Sequence, residues 1–199
     1  ALRPEGADPL REMGRLLVLA SGSSQRRLLL KGLRRRFSIV PSRVHERTRE
    51  KDPRRMVLEL ALRKAKNVAR KHPQALVLGA DTIVVCRGEI LLKPRGLADS
   101  RRILELLNGR WQRVYTGFAI VLEGGKKNWK EAAISKVKAR KLSGVELDRL
   151  AGKHMDKAGA YAVQDKDDPF IERIVGELDN VVGLPMKVVR RLIRRAENA

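Results

Sequence analysis

A serine- and arginine-rich turn, Ser21-Gly-Ser-Ser-Gln-Arg26-Arg27, stands between an apolar run and the start of a helical pattern. Backbone N–H groups and hydroxyls in such a turn face outward with the positive end of the helix behind them, a natural seat for a phosphate. Arg26 could grip the same anion bidentately. The turn is not a Walker loop, because the spaced glycines and the closing Lys-Ser/Thr pair are absent. The second candidate is Gly79-Ala-Asp81-Thr82, inside an otherwise apolar strand. A carboxylate there costs several kcal/mol unless it is paired, metal-bound or at the mouth of a site. Lys64, Lys93 and Glu46 read in isolation as solvated side chains. His45, His72 and His154 have no metal-ligand spacing, and no Gly-x-Ser-x-Gly elbow occurs, so a zinc hydrolase and a serine hydrolase are both poorly supported.

The elements that must position these residues alternate between strand and helix. A buried strand is expected over 15–20, a helix over 25–32 and a strand over 37–41, followed by a polar segment, 42–51. Asp52-Pro53 opens a helix, with a capping acceptor before a proline at the first helical position. Apolar residues keep one helical face until His72-Pro73 stops it. Residues 75–86 form a β-prone strand, with Arg87-Gly88 turning into a short arm over 89–92. A helix over 98–107 ends at Asn108-Gly109. Strands over 114–123 and 129–142 are joined by a Gly124-Gly125 turn. Ser143 and Glu146 match a capping box, opening a helix to about residue 151. Further strands are expected over 159–164 and 170–175. A closing helix over 185–196 sets Met186, Val189 and Ile193 opposite five basic residues. The pattern is one α/β unit, two lobes around a cleft, with 1–14 a loose leader and 15–199 a single domain.

The chain has 199 residues, of which 43% are apolar, enough for a core. Against 44 Lys and Arg stand 23 Asp and Glu, for a net charge of +21. Such a field favours polyanions: nucleic acid, nucleotides or anionic lipid. A single cysteine, Cys86, excludes an internal disulfide framework and a cysteine-rich zinc site, and a reduced cytoplasmic setting is the expectation. No run approaches the 18 or so apolar residues of a membrane span, and residues 1–14 lack the basic-then-apolar layout of a signal peptide.

Ordered motifs tie these residues together: Leu19-Ala-Ser-Gly-Ser with Arg26; Pro41-Ser with Val44 and Glu46; Lys64-Ala65; Gly79-Ala-Asp-Thr-Ile-Val84; Lys93-Pro94; Val114-Tyr-Thr-Gly117; Asp156-Lys-Ala-Gly-Ala-Tyr161 with Gln164; and Asn180-Val-Val-Gly-Leu-Pro185. From about Leu16 to Arg191 the chain resembles the Maf family of nucleoside triphosphate pyrophosphatases. The resemblance implies an α/β fold with an elongated mixed sheet flanked by helices and two lobes around a deep cleft. It implies hydrolysis of a nucleoside triphosphate to the monophosphate and pyrophosphate with a divalent metal, Mg²⁺ or a relative such as Mn²⁺. It makes Asp81 the proton acceptor, and Ser21, Arg26, Lys64 and Lys93 phosphate-handling groups. Glu46 joins Asp81 at the metal, while Thr82 and Gln164 bear on base choice. Thr82 resembles the branch acting on dTTP and UTP, so the expected substrates are these or modified nucleotides. A homodimer is a further family expectation.

Three positions depart from the family pattern. Gln25 stands where arginine or tryptophan is associated with substrate selectivity, His45 where an acid is common, and Gln112 where histidine is common. The rival reading is a basic nucleic-acid-binding protein on a catalytically degenerate scaffold. Seven aromatic residues and no RNA-recognition signature speak against it. Weak nonspecific binding of nucleic acid by the basic closing helix is compatible with either.

Overall fold

The structure is a computed structural model and describes residues 15–165 and 167–199. The expected leader, 1–14, lies outside them. The strands are β1 (Leu17–Leu19), β2 (Phe37–Ile39), β3 (Leu76–Cys86), β4 (Glu89–Leu91), β5 (Trp111–Leu122), β6 (Lys127–Ala139) and β7 (Ile171–Val175). The helices are α1 (Ser24–Lys31), α2 (Pro53–Ala69), α3 (Leu97–Leu107), α4 (Gly144–Leu150), α5 (Leu178–Val182) and α6 (Met186–Glu197). Local chemistry sets their starts. Ser23 caps α1 by accepting from the Arg26 amide at 3.3 Å, Asp52 caps α2 from the Arg55 amide at 2.8 Å, and Ser143 with Glu146 closes the capping box of α4.

One seven-stranded mixed sheet runs β2-β1-β3-β5-β6-β7, with β4 paired to β3. β1 is parallel to both β2 and β3, and the other pairs are antiparallel. Alternation along the strands divides the core into layers. Leu17, Leu19, Leu76, Leu78 and Phe118 face α1 and α6, whereas Val18, Val77, Ala119 and Val121 face α2. A separate cluster gathers α3, α4 and the far halves of β3 and β5 around Ile103, Leu104 and Phe170. These are the two lobes, and the long strands run through both.

The seat of α2 is unusually close. A methyl placed on Gly79 would stand 2.3 Å from the Ala61 carbonyl oxygen, and one on Gly117 would stand 2.4 Å from that of Val57. Gly117 lies directly across the ladder from Asp81, and Gly79 is two residues before it on the same strand. All three therefore look towards α2. Helix backbone rests on bare strand there.

One expectation fails, and one helix has no counterpart in the sequence reading. Residues 159–164 are not a strand but a 3-10 turn, Ala158–Ala160, followed by a loop. Gly159 and Ala160 both have left-handed φ, of 81° and 61°, so the chain folds on itself with local bonds such as Ala160 N–H to the Lys157 carbonyl, 3.2 Å. The short helix α5 was hidden in the Asn180–Pro185 motif. It has few periodic positions to reveal it and closes at Gly183, whose φ of 118° is open to glycine.

Because Gly117 leaves no room for a side chain, Gly117→Ala should be overpacked by about 3 kcal/mol. For a domain of this size that is a fall in melting temperature of about 6–12 °C. Calorimetry of the variant checks it, and a shift below about 2 °C would show that α2 does not depend on this contact.

Candidate active site

The cavity begins with an interruption in the sheet. Along one edge of β3, β1 covers Leu76–Leu78 and β4 covers the segment from Val84 to Cys86, leaving 79–83 without a strand neighbour on that edge. The opposite edge is paired with β5 from Val77 to Val85. A cleft of about 530 Å³ opens at the gap, within the range of small-molecule sites. Adjacent residues of a strand point to opposite faces. Asp81 therefore enters the cleft from the α2 side and Thr82 from the other.

On the α2 side, Lys64 Nζ donates to Asp81 Oδ1 at 2.6 Å and lies 2.7 Å from Glu46 Oε1. Lys64 and Asp81 are 6% exposed each, so the lysine is not the solvated side chain its local sequence suggests. The strand carboxylate is paired, which removes most of the cost of its burial. Lys93, mostly exposed, stands 4.0 Å from the other oxygen of Glu46. Partial burial pushes the Glu46 carboxyl up, but the hydrogen bond and charge of Lys64, with Lys93 and Arg26 behind it, outweigh this and hold it below the ordinary glutamate value.

On the Thr82 side the organiser is Arg26. Its Nη1 donates to Ser21 Oγ at 3.2 Å, its Nη2 to Thr82 Oγ1 at 3.0 Å and its Nε to the Gly183 carbonyl at 2.9 Å. Burial draws the guanidinium below its usual value, while Asp81 and Glu46 oppose that pull. Behind it, Thr82 bonds Thr116 at 2.9 Å, Thr116 donates to the Asn180 carbonyl at 2.9 Å, and Asn180 donates to Ser135 Oγ at 2.9 Å. One chain of bonds thus ties α1, β3, β5, β6 and the 180–183 turn together.

Ser21, Gln25, Arg26, Glu46, Lys64, Asp81, Thr82, Lys93 and Gln164 all line this one cleft. Of the departures, Gln25 is on the wall. His45 and Gln112 are not, and the side-chain amide of Gln112 is buried without a protein partner among the described residues. Lys157, to which sequence reasoning assigns no role, also lines the cleft and bonds Asp156 at 2.8 Å. Membership of the Asp156–Tyr161 motif was its only signal. Thr116 and Asn180 were likewise motif positions without a role.

The donor set suits a hard divalent cation. Glu46 and Asp81 approach the same lysine, and Mg²⁺ is commonly held by one or two carboxylates plus substrate phosphates. Among the described residues no group of three or more His, Cys, Asp or Glu side chains offers an all-protein cage. The arrangement can hold a polyphosphate: Arg26, Lys64, Lys93 and Lys157 surround the space, and the cap of α1 lies at its rim.

A family model described as Maf-like protein matches residues 16–196. A protein named dTTP/UTP pyrophosphatase from Elusimicrobium minutum is 52% identical over 178 residues, covering 89% of this chain and 97% of that one. Proteins of the same name from Thermococcus onnurineus and Deinococcus radiodurans are 43% and 38% identical. The former covers 89% of this chain and 96% of its own length, the latter 90% and 92%.

The lowered Glu46 value has a direction in stability. Its contribution is present above the unfolded glutamate value of about 4.3 and is lost as pH falls through the lower folded value. The melting-temperature difference between wild type and Glu46→Gln is therefore expected to shrink from pH 6 to pH 3. A difference that stays constant with pH would show that the ion pair contributes nothing to folding.

Proposed function

Because the chain belongs to the family of Maf-like proteins, we propose that it hydrolyses dTTP and UTP to the nucleoside monophosphate and pyrophosphate. The observation that carries this reading is the buried Lys64–Asp81 pair, opening on a cleft walled by further cations. Phosphoryl chemistry depends on positioning and charge neutralisation more than on covalent intermediates. Arg26, Lys64 and Lys93 grip the triphosphate oxygens, and Ser21 with the cap of α1 donates to them. Asp81 gives Oδ1 to Lys64, while Oδ2 takes no hydrogen bond from the described residues. That oxygen orients the attacking water towards the α-phosphorus and takes its proton. Pyrophosphate leaves against the cations.

Glu46 and Asp81 would hold Mg²⁺ or Mn²⁺, which when bound offsets the charge of the phosphate oxygens. Thr82, Gln164 and Gln25 face the base. A complete set of these groups around one cleft argues against the degenerate scaffold. The exposed basic side of α6 adds weak, nonspecific attraction for nucleic acid. A homodimer belongs to the same reading. It is supported by the outer edge of β6, where β7 pairs only the stretch from Lys136 to Ala139 and Ile134 is exposed. The lone buried thiol of Cys86 suits the reducing cytoplasm. No helix among the described residues is long and apolar enough to cross a membrane.

Pyrophosphate release across a panel of canonical and modified triphosphates with Mg²⁺ tests the activity. Silence on dTTP and UTP would overturn it. Asp81→Asn preserves shape and can still accept from Lys64, but it is a poor proton acceptor. It should lower kcat by about 10²–10⁴ while unfolding stays cooperative, and a variant of near wild-type rate would remove Asp81 from the chemistry. Gln25→Arg replaces an amide by a cationic fork. It should change the ratio of kcat/KM between dTTP or UTP and CTP or 7-methyl-GTP by about 1–2 kcal/mol, the scale of one or two hydrogen bonds. Unmoved ratios would leave base choice to Thr82 and Gln164.

A further inference from the structure

Glu46 lies in a segment, 40–51, that is neither helix nor strand, yet its carboxylate is fixed 2.7 Å from Lys64. Fixing an irregular backbone costs roughly 1–2 kcal/mol per residue, so something must hold it. The holder is one stripe of α2. Glu59, Arg63 and Asn67 recur at four-residue intervals and share a helix face. Asn67 Oδ1 accepts from the Arg43 amide at 3.2 Å. Arg63 Nη1 donates to the His45 carbonyl at 2.9 Å and to the Arg47 carbonyl at 2.7 Å, the two residues that flank Glu46. Glu59 Oε2 accepts from Thr48 Oγ1 at 2.6 Å, and its other oxygen pairs with Arg63 Nη2. The segment thus runs antiparallel to α2, tied at three successive turns.

We propose that Arg63 is a positioning residue for Glu46. Resting on the pyrophosphatase reading, this makes one turn of α2 supply both the cation that Glu46 meets, Lys64, and the clamp on its backbone, Arg63. Only an arginine suits the place. One guanidinium nitrogen takes both carbonyls while the other, held apart from it in a rigid planar fork, is anchored by Glu59, a separation a point-like ammonium lacks. Arg63 does not line the cleft and touches no substrate; it acts through Glu46.

The test is a double-mutant cycle with a structural readout beside it. In wild type, Arg63→Ala should lower kcat/KM for dTTP or UTP by about ten- to a hundredfold, the scale of a misplaced group. On the Glu46→Gln background it should lower it less than about twofold, because the residue it positions is already gone. Glu59→Gln, which keeps Arg63 but weakens its anchor, should show the same dependence at smaller amplitude. Equal factors on both backgrounds would overturn the proposal. Independently of turnover, cutting after Glu46 by a glutamyl endopeptidase should be about tenfold faster in Arg63→Ala than in wild type, at a temperature where both are folded. An unchanged cutting rate overturns the clamp. If the wild type releases no pyrophosphate, the proposed activity falls, and the cutting rate alone decides the clamp.

Discussion

A single ammonium group, that of Lys64, meets two carboxylates, the buried one of Asp81 and the half-exposed one of Glu46. Asp81 lies at the middle of a strand whose neighbours are buried on both faces, and Glu46 hangs from an irregular segment. Deleting one member of a buried pair commonly costs about 3–5 kcal/mol, because the other charge stays buried. The close seat of α2 on Gly79 and Gly117 follows from the same requirement. The helix resting on bare backbone there carries Lys64, whose ammonium lies 2.6 Å from the strand acid. Small residues at the contact, Ala61 and Ala65 on the helix side, complete that approach.

The other wall answers a different demand. Arg26 is partly buried, and all three bonds its side chain makes among the described residues go to neutral oxygens, in Ser21, Thr82 and Gly183. Its charge is therefore oriented without being neutralised by contact, and it remains to be met by an anion. Lys64 is the reverse: two acids meet its ammonium, leaving one of its three N–H donors for a ligand. At the two walls the cleft therefore holds a cation in waiting, Arg26, and one in balance, Lys64, with Lys93 and Lys157 nearby. The Thr116–Asn180–Ser135 chain keeps the waiting one from collapsing onto a neighbour.

Much of this was legible in the sequence, for identifiable reasons. A carboxylate inside an apolar strand announces itself, as does Asp52-Pro53 at a helix start, and both stand where expected. What escaped were relations between segments. Nothing around Lys64 marks it as buried, since burial depends on how near α2 comes to the sheet, and that distance is set by glycines on two other strands. The tie between 43–48 and α2 depends on side chains reaching backbone carbonyls, which leave no trace in composition. The apolar stretch 159–164 suggested a strand because periodicity ignores the left-handed φ of Gly159 and Ala160. Roles at Thr116, Asn180 and Lys157 could not be separated from ordinary motif membership.

The continuity of β3, β5 and β6 bears on how the molecule can move. These strands pass without a break from one lobe into the other, and β3 and β5 stay in register from Val77–Val121 to Val85–Arg113. A hinge bend between the lobes would have to shear that ladder across its whole width, so the cleft has the mechanical stiffness of a beam and not the compliance of a jaw. The strap that carries Glu46 adds to that stiffness, since α2 ties it at three successive turns. Such a vessel has one floor under both lobes, and its shape is set by that floor before any ligand arrives.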